Sequence, residues 1–299
     1  MSTENFPKNW FDRIRYAVRT DIGLKRAVNE DSWVIEDGSK GKYDIGKLGM
    51  MFAVADGLGG HKGGDIASRM ACDGILSYYE NMVHLNNNEH KLQSTQTHRK
   101  ALTSIFYKID EDIRIKSHSE EALGDMGTTL SVMVLLKGQA VLSHVGDSRV
   151  YRLRGRELTR LTPDHTFVQE MIDEGEMTED DVGTHPLRNM LTQALGTEEP
   201  LKTVFSDVVP VKPGDRFLLC SDGLTNMVSD KTIIELLGNK AEPRKIVDRL
   251  VEKAIENGGK DNVTVIVVQC ALFWGESREK GYSKRYKIYE KTINNDTIA

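Results

Sequence analysis

No stretch of this 299-residue chain approaches the roughly 18 consecutive apolar residues a spanning helix needs, so no membrane segment is expected. The residues from Met1 to Trp10 are polar and lack the apolar core of a secretory signal. Basic charge is not in excess either. The formal net charge of −5 argues against nucleic-acid binding as the main task, which needs a cationic surface. Cysteine is scarce: Cys72, Cys220 and Cys270 are an odd number, form no C-x-x-C pair, and each sits in an apolar segment. A reducing compartment is the expectation. No P-loop is present, since Gly41 to Lys47 has its spacing but Leu48 stands where Ser or Thr is required. No internal repeat is visible. A cytoplasmic protein without a membrane or nucleic-acid partner is expected, and a monomer.

What is present is an ordinary globular composition, 39% apolar and 28% charged, on a chain long enough to bury a sizeable core. Strand signals occur at Arg13 to Arg19, Ser32 to Glu36 and Met50 to Ala55, with a Gly- and Lys-rich loop from Gly38 to Gly49. Helical spacing runs through Gly64 to Val83 and again through Ala101 to Ile113, with a polar connection from His84 to Lys100. Strands then dominate. Thr128 to Leu136 and Gln139 to Val145 flank a Lys137-Gly138 turn, and Arg149 to Arg154 follows. Asp164 to Gly196 is polar and partly helical, and strands resume at Lys202 to Val209 and Arg216 to Ser221. Helices are expected at Asp230 to Leu237 and at Pro243 to Glu256, the latter with Gly258 just past its end.

Helices come in blocks and do not alternate with strands, which disfavours a doubly wound parallel fold. Val263 to Val268 is apolar on both faces and must be covered by a second sheet on one side and helices on the other. The expected fold class is α+β: a four-layer α/β/β/α sandwich of two mostly antiparallel sheets. It forms one domain over 14–270, after an N-terminal extension over 1–13 and before a charged tail over 271–299.

Three distant apolar runs meet an acid at their ends. Met50 to Ala55 runs into Asp56-Gly57, and Phe217 to Ser221 runs into Asp222-Gly223. In the third the order reverses, with Asp261-Asn262 opening into Val263 to Val268. A carboxylate at the mouth of a buried strand packs poorly but is well placed to hold a cation, and three together suit hard divalent ions. Gly57 would let its own carbonyl face the same ion as Asp56. A pair of ions roughly 3.5–4 Å apart shares a water, lowers its pKa and clamps a phosphoryl group. Any one Asp-Gly alone is a favoured turn dipeptide; the argument rests on all of them together.

Arg26 precedes Glu30 and Asp31 just before a strand. It could grip a phosphate bidentately, while the two acids orient metal-bound water. Alone, this is also what a solvated charge cluster looks like. His61, in the glycine-rich loop Gly59 to Gly64, is either an acid that protonates a leaving alkoxide or a loop residue bonded to water. Asp125, just before a strand, could supply a further carboxylate.

Together these motifs resemble the metal-dependent protein phosphatases of the protein phosphatase 2C type. The match runs in order through Arg26-x-x-Asn29-Glu30-Asp31, Ala55-Asp56-Gly57-Leu58-Gly59-Gly60-His61 and Asp125-Met126-Gly127-Thr128-Thr129. It continues through His144-Val145-Gly146-Asp147-Ser148-Arg149, Leu161-Thr162-Pro163-Asp164-His165 and His185-Pro186. Leu219-Cys220-Ser221-Asp222-Gly223-Leu224 and Gly258-Gly259-Lys260-Asp261-Asn262-Val263-Thr264 complete it. The resemblance implies hydrolysis of phosphoserine and phosphothreonine in proteins by a water bridging two Mn²⁺ or Mg²⁺ ions. It implies Asp56 and the Gly57 carbonyl on the first ion, Asp222 and Asp261 on the second, and Asp125 with Asp222 on a third, weaker one. Arg26 would bind the substrate phosphate, and 164–196 would be a variable flap beside the site. Animal-type members carry their proposed acid at the position of Leu58; His61 is the bacterial-style substitute.

Two other readings stand beside this one. A non-catalytic phosphate-sensing adaptor would be expected to lose a metal carboxylate, whereas Asp56, Asp222 and Asp261 are all present. A hydrolase of a small phosphorylated molecule is not excluded by the flap. A cysteine-based mechanism has no candidate, because the sixth residue after each cysteine is Tyr78, Asn226 or Glu276, never arginine. Phosphorylated proteins are the expected partners, with an opposing Ser/Thr kinase by analogy.

Overall fold

Successive side chains on a strand point to opposite faces, so a strand that is apolar throughout has to be buried twice. The computed structural model describes residues 10–58, 63–85, 94–120 and 126–271, and in it that requirement sets the architecture. The first elements are β1 (Ile14–Asp21), β2 (Ser32–Glu36), α1 (Ile45–Leu48), β3 (Met50–Ala55) and β4 (Gly57–Leu58). Helices α2 (Gly64–Ile75), α3 (Ser77–Leu85) and α4 (Thr95–Ser119) follow. Then come β5 (Gly127–Thr128), β6 (Leu130–Leu136), β7 (Gln139–Val145), β8 (Arg149–Arg154), β9 (Glu157–Arg160) and α5 (Phe167–Asp173). The chain continues with β10 (Phe205–Pro210), β11 (Arg216–Cys220), α6 (Asp222–Thr225), α7 (Asp230–Gly238), α8 (Pro243–Glu256) and β12 (Val263–Cys270).

One sheet has the order β1-β12-β11-β8-β9 and the other β10-β7-β6-β3-β2, with every pairing antiparallel. Alternation sorts their side chains into three apolar layers. Met50, Phe52 and Val54 of β3 meet Phe217 and Leu219 of β11 and Ile266 and Val268 of β12 between the sheets. Met51, Ala53 and Ala55 face α2, α3 and α4 through Ala71, Ile75, Leu102 and Phe106. Val263, Val265 and Val267 face α7 and α8 through Ile233, Val247, Leu250 and Val251. The expected α/β/β/α sandwich is the observed one.

Details differ from the sequence reading. The loop expected over 38–49 holds α1, capped by Asp44, whose Oδ1 accepts from Gly46 N at 3.1 Å. The single helix expected over 64–83 is two. The break at Leu76 re-aims the chain so that consecutive Tyr78 and Tyr79 are both buried, with hydroxyls donating to the Leu48 and Gly49 carbonyls at 3.0 Å. Helix α4 begins at Thr95, inside the expected connection, because Ser94 caps it by accepting from Gln96 N at 3.3 Å. Buried Asp110 on α4 accepts from Gly196 N at 2.8 Å and Leu201 N at 3.2 Å, fastening the end of the 164–196 segment to the helical layer.

Candidate metal centre

The acids at the strand mouths arrive together because their strands are neighbours at one end of the sandwich. Asp56 follows β3 and is held by its backbone. Its N–H donates to Thr129 Oγ1 at 3.0 Å, and its carbonyl accepts from Thr129 N and Thr128 Oγ1, both at 2.9 Å. Gly57 is next, its N–H on the Glu30 carbonyl at 3.2 Å. A Cβ at Gly57 would fall 2.2 Å from the Gly64 carbonyl oxygen, so only glycine lets β4 pass the start of α2. Asp222 opens α6 directly after β11, and Asn226 Nδ2 donates to its Oδ2 at 2.9 Å. A Cβ at Gly223 would lie 1.9 Å from the Asn262 carbonyl oxygen, which brings the turns carrying Asp222 and Asp261 into backbone contact. Asp261 Oδ1 accepts from Asn262 N at 2.8 Å, and its Oδ2 accepts from Arg26 Nη2 at 2.7 Å.

The three acids lie within electrostatic reach of one another. Asp56 and Asp222 repel each other, as do Asp222 and Asp261. Asp56, Asp222 and Asp261 each keep some solvent contact. Even so, desolvation dominates at the first two. It lifts Asp56 well above the usual carboxylate range, with repulsion from Asp31, Asp222, Asp147 and Asp261 adding to it. Burial, then Asp261, pushes Asp222 up to about 6. Asp31 is pushed up to about 7, chiefly by burial, although Ser221 Oγ donates to its Oδ2 at 2.8 Å. Its Oδ1 is buried without a hydrogen-bond partner among the described residues. Glu30 is raised by burial and lowered in turn by Arg26.

Among the described residues, no three His, Cys, Asp or Glu side chains are drawn closely enough around one point to hold an ion as they stand. Asp261 is turned to Arg26. The donor set still fits a divalent ion. Carboxylates that repel one another at a partly open pocket, with one guanidinium between them, are what a hard cation would relieve.

Arg26 lies on Asp261, within the electrostatic reach of Glu30 and Asp56. Glu30 and Asp31 flank the pocket. His61 and Asp125 lie outside the described residues. The sequence reading missed Asp147. It comes two residues after the end of β7, repels Asp56 and Asp222, and is pushed up to about 8 by burial first and Asp222 next. Its position after an apolar strand was the available signal. Asn262 was missed as well. Its Oδ1 accepts from Glu30 N at 2.8 Å, and its Nδ2 donates to the Ile22 and Val28 carbonyls at 2.9 and 3.0 Å. All three cysteines are buried and burial raises their thiols, Cys220 to about 12, which leaves no thiolate nucleophile.

Two antiparallel sheets between helical layers, with an acidic pocket at strand ends, make an α/β/β/α sandwich with one candidate cation centre. The family described as Protein phosphatase 2C matches residues 25–257. The serine/threonine phosphatase stp of Listeria monocytogenes is 36% identical over 254 residues, spanning 85% of this chain and 95% of that protein. The crystal structure of the Mycobacterium tuberculosis serine/threonine phosphatase PstP/Ppp superposes with a TM-score of 0.72 at 35% identity, covering 86% of this chain and 99% of that one. The catalytic domain of PstP in complex with 2 manganese ions gives a TM-score of 0.68 at 35% identity, covering 86% and 98%. The chain belongs to the protein phosphatase 2C family.

Proposed function

We propose that this chain is a metal-dependent protein phosphatase acting on phosphoserine and phosphothreonine, with Mn²⁺ or Mg²⁺ as its cofactor. The observation that carries this is the meeting of Asp56, Asp222 and Asp261, from three strand ends, with Asp56 more than 160 residues before the other two, in one partly open pocket. Asp56 and the Gly57 carbonyl would hold one ion and Asp222 and Asp261 a second, with Asp125 and Asp222 available to a third. When bound, such ions lower the pKa of water and neutralise phosphoryl charge. Phosphomonoester hydrolysis is among the slowest uncatalysed reactions, so charge stabilisation is the main task of the site.

Arg26 binds the substrate phosphate, releasing Asp261 as it does so, because a guanidinium can serve a phosphate as well as a carboxylate. Glu30 and Asp31 accept hydrogen bonds from water at the pocket floor. His61 is the proton donor to the leaving serine or threonine alkoxide. The carboxylate set is complete, which favours an enzyme over a phosphate-sensing adaptor.

The substrate supply requires an opposing Ser/Thr kinase, so the chain belongs in a reversible signalling cycle. The three unpaired, buried cysteines support a cytoplasmic setting. Among the described residues no helix is long and apolar enough to cross a membrane. We read the chain as a monomer, with 164–196 as a flap beside the pocket and 271–299 as a tail outside the catalytic domain.

The test is hydrolysis of an aryl phosphate and of a phosphothreonine peptide, each with Mn²⁺ and with EDTA. Turnover of both that is abolished by chelation is expected. Equal turnover with and without EDTA would defeat the proposal.

A further inference from the structure

The segment between β1 and β2 carries Arg26, and it is pinned. Gly23 N donates to Asp21 Oδ1 at 3.0 Å, and Leu24 N donates to the Gly259 carbonyl at 2.7 Å. Asn262 Nδ2 grips the Ile22 and Val28 carbonyls at 2.9 and 3.0 Å. Gly23 has φ +78°, and a Cβ there would lie 2.3 Å from the Asp261 carbonyl oxygen, so the segment is pressed against the turn that bears Asp261. Leu24 lies against Gly259, where its Cγ would be 3.0 Å from an added Cβ.

Despite this fastening, Ile22, Leu24 and Val28 remain 38%, 62% and 56% exposed. Each of the three leaves apolar surface in water that packing within the chain does not cover. Their position says what would cover them. Two residues of chain reach at most about 7 Å, so Leu24 and Val28 both lie beside Arg26. At about 3.3 Å per residue, a polypeptide whose phosphorylated residue sits against Arg26 can place an adjacent side chain on this surface.

We propose that Ile22, Leu24 and Val28 form a specificity ledge that favours phosphoprotein segments with an apolar side chain next to the phosphorylated residue. The ledge rests on the reading of Arg26 as the phosphate grip. It is a flank of that site and takes no part in the bond that breaks, so it selects among peptides without affecting a substrate too small to reach it.

The experiment compares phosphothreonine peptides with Leu or Ser on either side of the phosphorylated residue, together with an aryl phosphate, all with Mn²⁺. The proteins are the full chain and the double variant Leu24→Ser, Val28→Thr. For the unaltered chain, kcat/KM should favour the Leu peptides by about 3–10-fold, the scale on which apolar contacts discriminate substrates. The variant should bring that preference below about twofold. Its aryl phosphate turnover and unfolding midpoint should stay those of the parent. No Leu preference in the parent, or the same preference in the variant, would overturn the ledge. So would an equal fall on peptides and aryl phosphate, which would make these residues mere supports for Arg26. Failure of the parent to hydrolyse the aryl phosphate at all would remove the phosphatase reading, and the ledge with it.

Discussion

Arg26 and Asp261 form a pair at 2.7 Å in which the two side chains keep 44% and 32% of their exposure. Such a partly solvated pair adds little to stability, which leaves the guanidinium free to exchange its carboxylate for a phosphate. Arg26→Ala should therefore unfold at nearly the same temperature as the parent. Its KM for a phosphothreonine peptide should rise about 10–100-fold, the loss of a charged hydrogen bond, with a smaller fall in kcat. An unchanged KM would take Arg26 out of the site. The residues that could be read from sequence were those whose type conflicts with their surroundings: Asp56, Asp222 and Asp261 interrupt apolar runs. Asp147 comes two residues after the end of β7, but Gly146-Asp147-Ser148 also reads as a plain connection to β8. Asn262 gave no signal, because an amide beside an acid says nothing about the three backbone groups it will hold.

At the scale of elements, one side chain fastens two distant segments. Asn262, just before β12, bonds the main chain at Ile22, Val28 and Glu30, and so sets the path between β1 and β2. Asn262→Ala leaves those groups without their partner and should cost about 2–4 kcal/mol of unfolding free energy. Peptide kcat/KM should fall too, since Arg26 and Glu30 lose their seat. Urea unfolding and steady-state kinetics check both, and a variant with parental stability would show that the segment is held by other means. Elements with long apolar runs, β3, β6, β7, β11 and β12, or with strong helical periodicity, α8, were legible in advance. The pair β4-β5, with two residues in each strand, was not, and neither was α6 with four. An element that short has no period to display, and backbone contacts such as those at Gly57 and Gly223 decide it.

At the scale of the whole molecule, the sandwich buries apolar residues in three layers and gathers acids at one end. A sheet covered by a second sheet on one side and by helices on the other requires strands that are apolar on both faces, which is why the α/β/β/α class could be inferred from the sequence. The sandwich also explains why acids remote in sequence meet, as each follows or precedes a strand that must run through the core. The central claim is that these acids form one divalent-cation centre and that the chemistry depends on it. The most direct measurement is calorimetric titration of Mn²⁺ into the full chain and into Asp222→Asn, with phosphothreonine turnover followed alongside. The account predicts at least two ions bound by the parent, with activity rising as they bind. It predicts fewer ions in a folded Asp222→Asn, and turnover reduced on the order of 10³-fold. Equal Mn²⁺ binding and equal turnover by the two proteins would contradict it.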